Sequence, residues 1–132
     1  MSVPQDYRYT ETHEWVNIEE GNIVVIGITD YAQDHLGEVV SVELPRVGDE
    51  VQKGEVLGMV DSQKASSEVF APVSGVVTEV NTLPDEDPAV MNNDPYDEGW
   101  LAKIEMETPN ELDELMNAQE YDEYLSNLPS ED

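Results

Sequence analysis

Short runs of apolar and β-branched residues recur along the chain and are separated by turn-forming residues. Runs of this length predict β-strands, because side chains of a strand alternate between a buried and an exposed face. The turn signals include Glu20-Gly21-Asn22, the loop 45–50 and the segment 72–75. The predicted strands cover residues 7–9, 13–18, 23–28, 38–44, 51–60, 68–71, 76–80 and 100–106.

Two segments have helical rather than strand character. Thr29 or Asp30 can cap a short helix that ends near Leu36, with Gly37 as its C-cap. After Pro109, apolar side chains recur at helical spacing, which is typical of a core-facing helix: Leu112, Leu115, Met116, Tyr121, Tyr124 and Leu125. The pattern therefore predicts a mainly β fold, a small β-sandwich or flattened barrel with a short inserted helix and a C-terminal helix. We expect one domain over residues 1–132, with 108–132 as a C-terminal helical extension.

The net charge limits the partners that the protein can bind. The chain has 31 acidic and 5 basic residues, a formal net charge of −26. Such a field repels nucleic-acid phosphates and anionic membranes, so neither is an expected partner. The acids are spread along the whole chain rather than gathered in a tail, which indicates a halophilic protein adapted to a high-salt cytoplasm. An ordinary acidic carrier protein is the alternative.

The chain lacks the residues that several classes of chemistry require. The chain has no cysteine, no membrane-length apolar run and, in residues 1–6, no signal or import pattern, so we expect a cytoplasmic monomer from a prokaryote. Neither a nucleophile motif nor a phosphate-binding glycine loop is found, and independent catalysis is not expected. His13 and His35 do not have the spacing of a metal site, so no metal is expected.

Lys64 is the most informative single residue. It is one of three lysines and lies between two apolar, strand-like runs, where a tight hairpin turn would place its amine at the tip. A cation displayed in this way is a candidate for covalent modification, although most turn lysines are simply solvated.

The sequence resembles the glycine cleavage system H-protein family over nearly the whole chain. The resemblance lies in residues 12–16, 26–38, 42–45, 61–65, 71–75, 79–81, 93–96 and 99–100. Biotin carrier domains have Met on both sides of their lysine, whereas Lys64 is flanked by Gln63 and Ala65. Lipoyl domains of 2-oxoacid dehydrogenases usually have Asp before the lysine and lack segments like 13–15 and 30–36.

The resemblance implies that Lys64 carries lipoate in amide linkage, which gives a long flexible tether for visiting several enzymes. It also implies that Asp61, three residues before the lysine, and Gly75, eleven after it, are recognised by the lipoylating enzymes. Local roles are the alternatives, with Asp61 capping the turn and Gly75 adopting a positive φ in a turn.

The resemblance further implies a cleft for the loaded arm, formed by Thr12, Glu14, His35 and Glu68. An aminomethyl group carries an ammonium, which carboxylates and a hydroxyl would accept. Glu14 and Glu68 could instead be surface charges, and His35 could cap the short helix or fill a polar niche.

The function implied by the resemblance is that of a non-catalytic carrier. It would receive the aminomethyl group at glycine decarboxylase (P protein), deliver it to the aminomethyltransferase (T protein) and be reoxidised by dihydrolipoyl dehydrogenase (L protein). Two alternatives remain at this stage. One is an H-like protein that relays lipoate to other enzymes, and the other is an unmodified β-sandwich interaction module.

Overall fold

The computed structural model describes residues 4–128, which form two antiparallel sheets. The first sheet has the order β1 (Arg8–Tyr9), β2 (Glu14–Glu20), β3 (Ile23–Ile28), β9 (Ala102–Met106), β8 (Gly75–Val80) and β5 (Glu50–Val51). The second has the order β4 (Val39–Glu43), β6 (Val56–Ser62) and β7 (Ser66–Phe70). Residues 1–3 and 129–132, the ends of the expected domain and of its C-terminal extension, lie outside the described residues.

The main core contains apolar side chains from both sheets. Val24, Ile26 and Ile104 of the first sheet and Val60 and Val69 of the second are almost fully buried in one cluster. Burial of these β-branched residues is the main stabilising contribution, at about 1.5–3 kcal/mol for each fully buried side chain. The predicted mainly β sandwich is thus confirmed, and its two sheets remain open instead of closing into a barrel.

The helices lie at the ends and edges of the sheets. The predicted short helix is α1 (Asp30–Leu36), whose N-cap Thr29 accepts the Ala32 N–H at 3.3 Å and whose C-cap Gly37 has φ +81°. The loop-rich region contains α2 (Leu83–Glu86) and α3 (Val90–Asn93). A 3₁₀ helix (Pro109–Glu114) and α4 (Ala118–Ser126) follow β9. None of the helices in residues 4–128 is long and apolar enough to cross a bilayer.

Most strands begin and end within two residues of the predicted bounds, and three differences change how the elements are divided. The apolar run 51–60 is divided by a turn at Gly54, where φ is +91°, so it forms both β5 and β6. Gly75 opens β8 instead of belonging to the preceding turn. The C-terminal helical pattern is broken because Met116 pairs with Tyr9 of β1 as an isolated bridge, at a backbone N···O distance of 2.8 Å.

Helix α4 is fixed to the sandwich through Tyr121, which is fully buried. Its ring stacks on Tyr9 at 4.7 Å between centroids, and its hydroxyl hydrogen-bonds Thr29 Oγ1 and His13 Nδ1, each at 2.8 Å. Burial raises the pKa of Tyr121, so the hydroxyl keeps its proton. The prediction of a core-facing C-terminal helix is confirmed for this segment, and α4 thereby supports the β1–β2 connection at His13.

Candidate functional site

Lys64 lies on the turn between β6 and β7, as the sequence predicts. The Ser62 N–H donates to the Ala65 carbonyl at 2.8 Å, so Gln63 and Lys64 form a two-residue hairpin loop. Neither loop residue has a positive φ, unlike the usual turns of such short hairpins. The Ser62 hydroxyl supports this less common turn by accepting the N–H groups of Lys64 and Ala65 at 3.3 and 3.1 Å. The root of the lysine is therefore fixed while its side chain is exposed.

The three lysines differ in their surroundings. Lys53 is paired with Glu114 at 2.5 Å, and Lys103 is paired with Glu19 at 2.7 Å. No carboxylate among residues 4–128 forms an ion pair with Lys64. Among these three lysines, Lys64 is thus the one whose amine has no carboxylate partner in residues 4–128.

The stem of Lys64 passes over Gly37 at the end of α1. A Cβ placed on Gly37 would lie 3.6 Å from the Lys64 Cε. The Gln63 N–H donates to the Glu38 carbonyl at 3.3 Å, which connects the lysine turn to the segment after α1. The Asn92 side chain holds this segment by donating to the Gly37 carbonyl at 2.8 Å. These contacts direct the lysine toward the end of α1.

Asp61 does not cap the turn, because Ser62 does so. Its carboxylate instead accepts hydrogen bonds from the hydroxyls of Ser41 and Ser66, at 3.0 and 2.5 Å. These serines lie on β4 and β7, directly across from Asp61 on β6. The structure therefore holds this carboxylate on the outer face of the second sheet, one residue before the turn.

Gly75 has a structural role that differs from the predicted turn glycine. It is buried at the start of β8 and is not among the glycines with positive φ. A Cβ at this position would overlap the Glu105 carbonyl oxygen and come within 2.7 Å of the Ile104 Cγ2. Glycine is therefore required for the close approach of β8 and β9, and its part in enzyme recognition stays a prediction.

Glu14 is a buried carboxylate and not a surface charge, with only 1% of its area exposed. Its Oε1 accepts the hydroxyls of Thr10 and Thr12, and its Oε2 accepts the Phe70 N–H at 3.2 Å. Burial raises the pKa of Glu14, and the three hydrogen bonds oppose that rise. Glu14 also joins the two sheets, because Phe70 lies on β7, the edge strand of the second sheet.

The loop between β1 and β2 carries Thr10 and Thr12, whose hydroxyls donate to Glu14, and it contains one residue with a strained backbone. His13 has φ +71°, an uncommon value for a residue with a Cβ. Its N–H donates to the Thr10 carbonyl at 3.1 Å and its carbonyl accepts the Thr29 N–H at 3.0 Å. Together with the contact to Tyr121, these bonds maintain the conformation that aims Thr12 and Glu14 into the site.

Two grooves meet at Thr12. The larger, about 580 Å³, is lined by Thr12 and Glu14 and by apolar residues that include Phe70 and Met116. The smaller, about 260 Å³, lies between α1 and Ser67 of β7, and it is nearer to the lysine turn along β7. Its lining residues are Thr12, His13, Tyr31, Ala32, His35, Leu36 and Ser67.

The structure brings three of the four predicted cleft residues together. Thr12 and Glu14 line the larger groove, and Thr12 and His35 line the smaller one. His35 stacks on Tyr31 at 3.9 Å and contacts the Tyr31 carbonyl through Nδ1 at 3.0 Å. Glu68 is exposed, and strand alternation directs it to the opposite face of β7 from Ser67 and Val69. It is not among the residues that line either groove.

Several contributors were not predicted from the sequence. Strand register and the placement of α1 bring these groups to the site. They are the Phe70 backbone N–H, the hydroxyls of Ser41 and Ser66, and Gly37 beside the lysine stem. A serine on the outward face of a predicted strand carries no signal of its own. Within residues 4–128, no group of three metal-ligating side chains is suitably placed for a metal ion.

An exposed lysine on a fixed hairpin turn, at one end of a two-sheet β-sandwich with a groove beside it, is the arrangement expected of a carrier protein that bears a covalent group. Comparisons with known proteins identify the kind of carrier. The family model described as "Glycine cleavage H-protein" matches residues 7–128. The chain belongs to this family.

Individual relatives agree with the family model. The chain is 51% identical over 125 residues to a glycine cleavage system H protein of Anaeromyxobacter sp. (strain K), covering 95% of this chain and 97% of the relative. It is 49% identical over 125 residues to one of Thermus thermophilus, with the same coverage. The crystal structure of an H protein from Mycobacterium marinum superposes with a TM-score of 0.86 at 40% identity, covering 94% of this chain and 99% of that one.

Membership of the family establishes the class of function. Glycine cleavage H proteins are the lipoyl carriers of the glycine cleavage system, and they bear lipoate on a lysine. The chain is therefore a carrier and not an enzyme, and its working partners are the P, T and L proteins of that system. Nothing in these comparisons supports the lipoate-relay alternative.

Proposed function

We propose that Lys64 is the residue that bears lipoate, and that the loaded arm docks along the grooves beside β7. The observation that carries this proposal is the position of Lys64 at the tip of the β6–β7 hairpin. Its amine is exposed and its backbone is fixed by the Ser62 hydroxyl. Lys53 and Lys103, by contrast, are engaged in ion pairs.

The residues around Lys64 suit a long covalent arm. The lysine stem already passes over Gly37, toward the smaller groove between α1 and Ser67. That groove continues past Thr12 into the larger one beside Glu14. When bound, the dithiolane of lipoate supplies the exchange chemistry, accepting an aminomethyl group and being left as a dithiol after delivery.

In this proposal Glu14 binds the ammonium of the loaded arm. A carboxylate has about four acceptor positions, and three protein donors occupy three of them. Burial raises the pKa of Glu14, so its negative charge is costly when the groove is empty. An arriving ammonium offsets that cost, since an opposite charge nearby favours the ionised carboxylate. The groove therefore suits the cationic, loaded arm better than the unloaded one.

The remaining predicted residues have supporting roles. Thr12 contributes its hydroxyl where the two grooves meet, and His35 forms part of the wall of the smaller groove. Glu68 lies on the opposite face of β7 from the grooves, where its exposed carboxylate adds to the negative field that attracts a cation toward this strand. Enclosure of the arm excludes water, which would otherwise release the aminomethyl group.

Two further residues and the net charge complete the proposed function. Asp61 and Gly75 are recognised by the lipoylating enzymes, Asp61 through its exposed carboxylate and Gly75 through the close packing of β8 on β9. The chain acts as a cytoplasmic monomer, with residues 1–132 as one unit and 108–132 as its C-terminal extension. Its charge of −26 is an adaptation to concentrated salt.

The experiment is site mapping after lipoylation. The full chain is incubated with lipoate ligase, lipoate and ATP, and its intact mass and peptide map are determined. We expect one lipoyl group, on Lys64, and no labelling of Lys64→Arg. Lys53→Arg is the matched control and should be labelled normally, because that amine is paired with Glu114. Label on Lys53 or Lys103 would contradict the assignment.

The docking of the arm is tested separately, with the loaded carrier. Glu14→Gln should shorten the lifetime of the aminomethyl adduct while leaving lipoylation of Lys64 unchanged, because it removes the charge that pairs with the ammonium. Glu79→Gln, which removes an exposed carboxylate from β8, away from both grooves, is the control. Equal lifetimes for Glu14→Gln and the parent would show that the arm does not use this groove.

A further inference from the structure

The second sheet has a row of three polar side chains beside the lysine turn. Ser41 of β4, Asp61 of β6 and Ser66 of β7 are directly paired across neighbouring strands. The Ser41 Oγ donates to Asp61 Oδ2 at 3.0 Å, and the Ser66 Oγ donates to Asp61 Oδ1 at 2.5 Å. We refer to Ser41, Asp61 and Ser66 together as the carboxylate row.

The carboxylate row faces away from the core. The adjacent pair along the strands, Val42 and Val60, is buried, so alternation places Ser41 and Asp61 on the outer face. Both serines are exposed and Asp61 is half-buried. The row is thus accessible to a docking enzyme.

The two hydroxyls fix the direction of the carboxylate. Each Asp61 oxygen accepts one hydroxyl and retains acceptor capacity toward solvent. An aspartate on an open sheet surface would otherwise sample several rotamers, and an enzyme that binds it would have to select one. Because Asp61 is one residue from the turn, its direction is set relative to the root of Lys64.

We propose that Ser41 and Ser66 are positioning residues for the lipoylation of Lys64. They hold the Asp61 carboxylate as a directional acceptor for a cationic or N–H donor group of the lipoylating enzyme. This inference rests on the proposed function of Lys64, and it adds two residues that act through Asp61 and do not touch the reacting amine.

The effect should appear in recognition and not in the chemical step. Removing one hydroxyl leaves the carboxylate present but less ordered, so the enzyme must order it on binding. We expect Ser41→Ala and Ser66→Ala each to lower kcat/KM for lipoate ligation by about three- to tenfold. The change should lie in KM, with kcat preserved, because the lysine amine and its turn are unaltered.

The test measures ligation kinetics on the full chain by intact mass. Besides the two alanine variants it uses Ser41→Thr and Ser66→Thr, which retain the hydroxyl and should restore kcat/KM. Thr78→Ala is the control, because it removes an exposed hydroxyl from a strand of the other sheet. Melting temperatures of all variants separate loss of recognition from loss of folding.

A double-mutant comparison identifies Asp61 as the intermediary. In an Asp61→Asn background, the serine substitutions should have no further effect on kcat/KM, because the carboxylate that they position is gone. A purely structural role would give the same loss with and without Asp61. That result, or unchanged kinetics in both alanine variants, would overturn the inference while leaving Lys64 as the lipoylated residue. Absence of label on Lys64 in the parent would instead overturn the proposed function, and the positioning role with it.

Discussion

At the residue scale, the site depends on a carboxylate whose burial is offset by its hydrogen bonds. Glu14 is 1% exposed, and the hydroxyls of Thr10 and Thr12 and the Phe70 N–H donate to it. Burying a carboxylate without such partners would cost several kcal/mol. The same contacts join the first sheet to the edge of the second, so a group suited to binding a cation also contributes to the fold.

The free energy of unfolding should depend on pH in a way that reflects the raised pKa of Glu14. Because burial raises its pKa above the ordinary value of 4.5, the folded protein binds this proton more tightly than the unfolded chain does. The contribution of Glu14 to stability is therefore largest below the unfolded pKa and decreases as pH rises through the folded pKa. Glu14→Gln, which is neutral throughout, should gain stability relative to the parent over the same interval.

Urea denaturation of both proteins between about pH 4 and pH 7 measures this difference. Glu68→Gln reports the effect of removing one exposed charge from the neighbouring strand. A stability difference between Glu14→Gln and the parent that is constant with pH, or that decreases as pH rises, would contradict the raised pKa of Glu14.

At the scale of elements, the hairpin and the groove depend on how closely strands approach. Gly75 allows β8 to lie against β9, and Gly37 ends α1 with a φ of +81° beside the lysine stem. Ser62 holds a two-residue turn that lacks glycine and positive φ. Small residues at these positions therefore determine where the functional side chains lie.

Gly75→Ala should destabilise the fold by about 3 kcal/mol or more, because the new methyl would overlap the Glu105 carbonyl, which is part of the backbone. The control is Gly21→Ala, whose Cβ would meet nothing within 4 Å and whose φ of +56° costs about 1–2 kcal/mol. Chemical denaturation compares the two. An equal loss in both variants would show that the β8–β9 contact tolerates a methyl group.

The sequence predicts elements better than it predicts their junctions. The strand of residues 23–28 and the capped helix ending at Leu36 follow from local pattern alone, and both are observed. The break at Met116 does not, because it depends on a bridge to Tyr9, distant in the chain. Lys64 could be placed on a turn because the apolar runs on both sides of it are local. The serines that hold Asp61 could not be identified, because their positions depend on the register of β4 and β7 against β6.

At the scale of the whole molecule, the surface charge acts against the compact fold. The chain has thirty-one acidic residues and only five basic ones, and two of the five, Lys53 and Lys103, are already paired with carboxylates. The remaining acids repel one another over distances comparable to the screening length at low salt, about 10 Å at 0.1 M.

The melting temperature should therefore rise between ~0.1 M and ~1 M KCl, as the screening length falls to about 3 Å. In a domain of this size, each kcal/mol of relieved repulsion corresponds to about 3–6 °C. Choline chloride at equal ionic strength separates screening from specific binding of potassium to carboxylates. A flat curve in KCl would count against adaptation to high salt.

The open edge of β7 has a consequence for how copies of the carrier behave toward one another. An unpaired strand edge is a template on which another chain can add a strand, which is a common route to aggregation. In residues 4–128 no further strand pairs with β7, so this edge is not protected in that way. Glu14 occupies the Phe70 N–H of that edge, and Glu68 places a charge on the same strand. A second copy approaching edge to edge would meet like charges, so the acids on and beside this edge also keep copies of the protein apart.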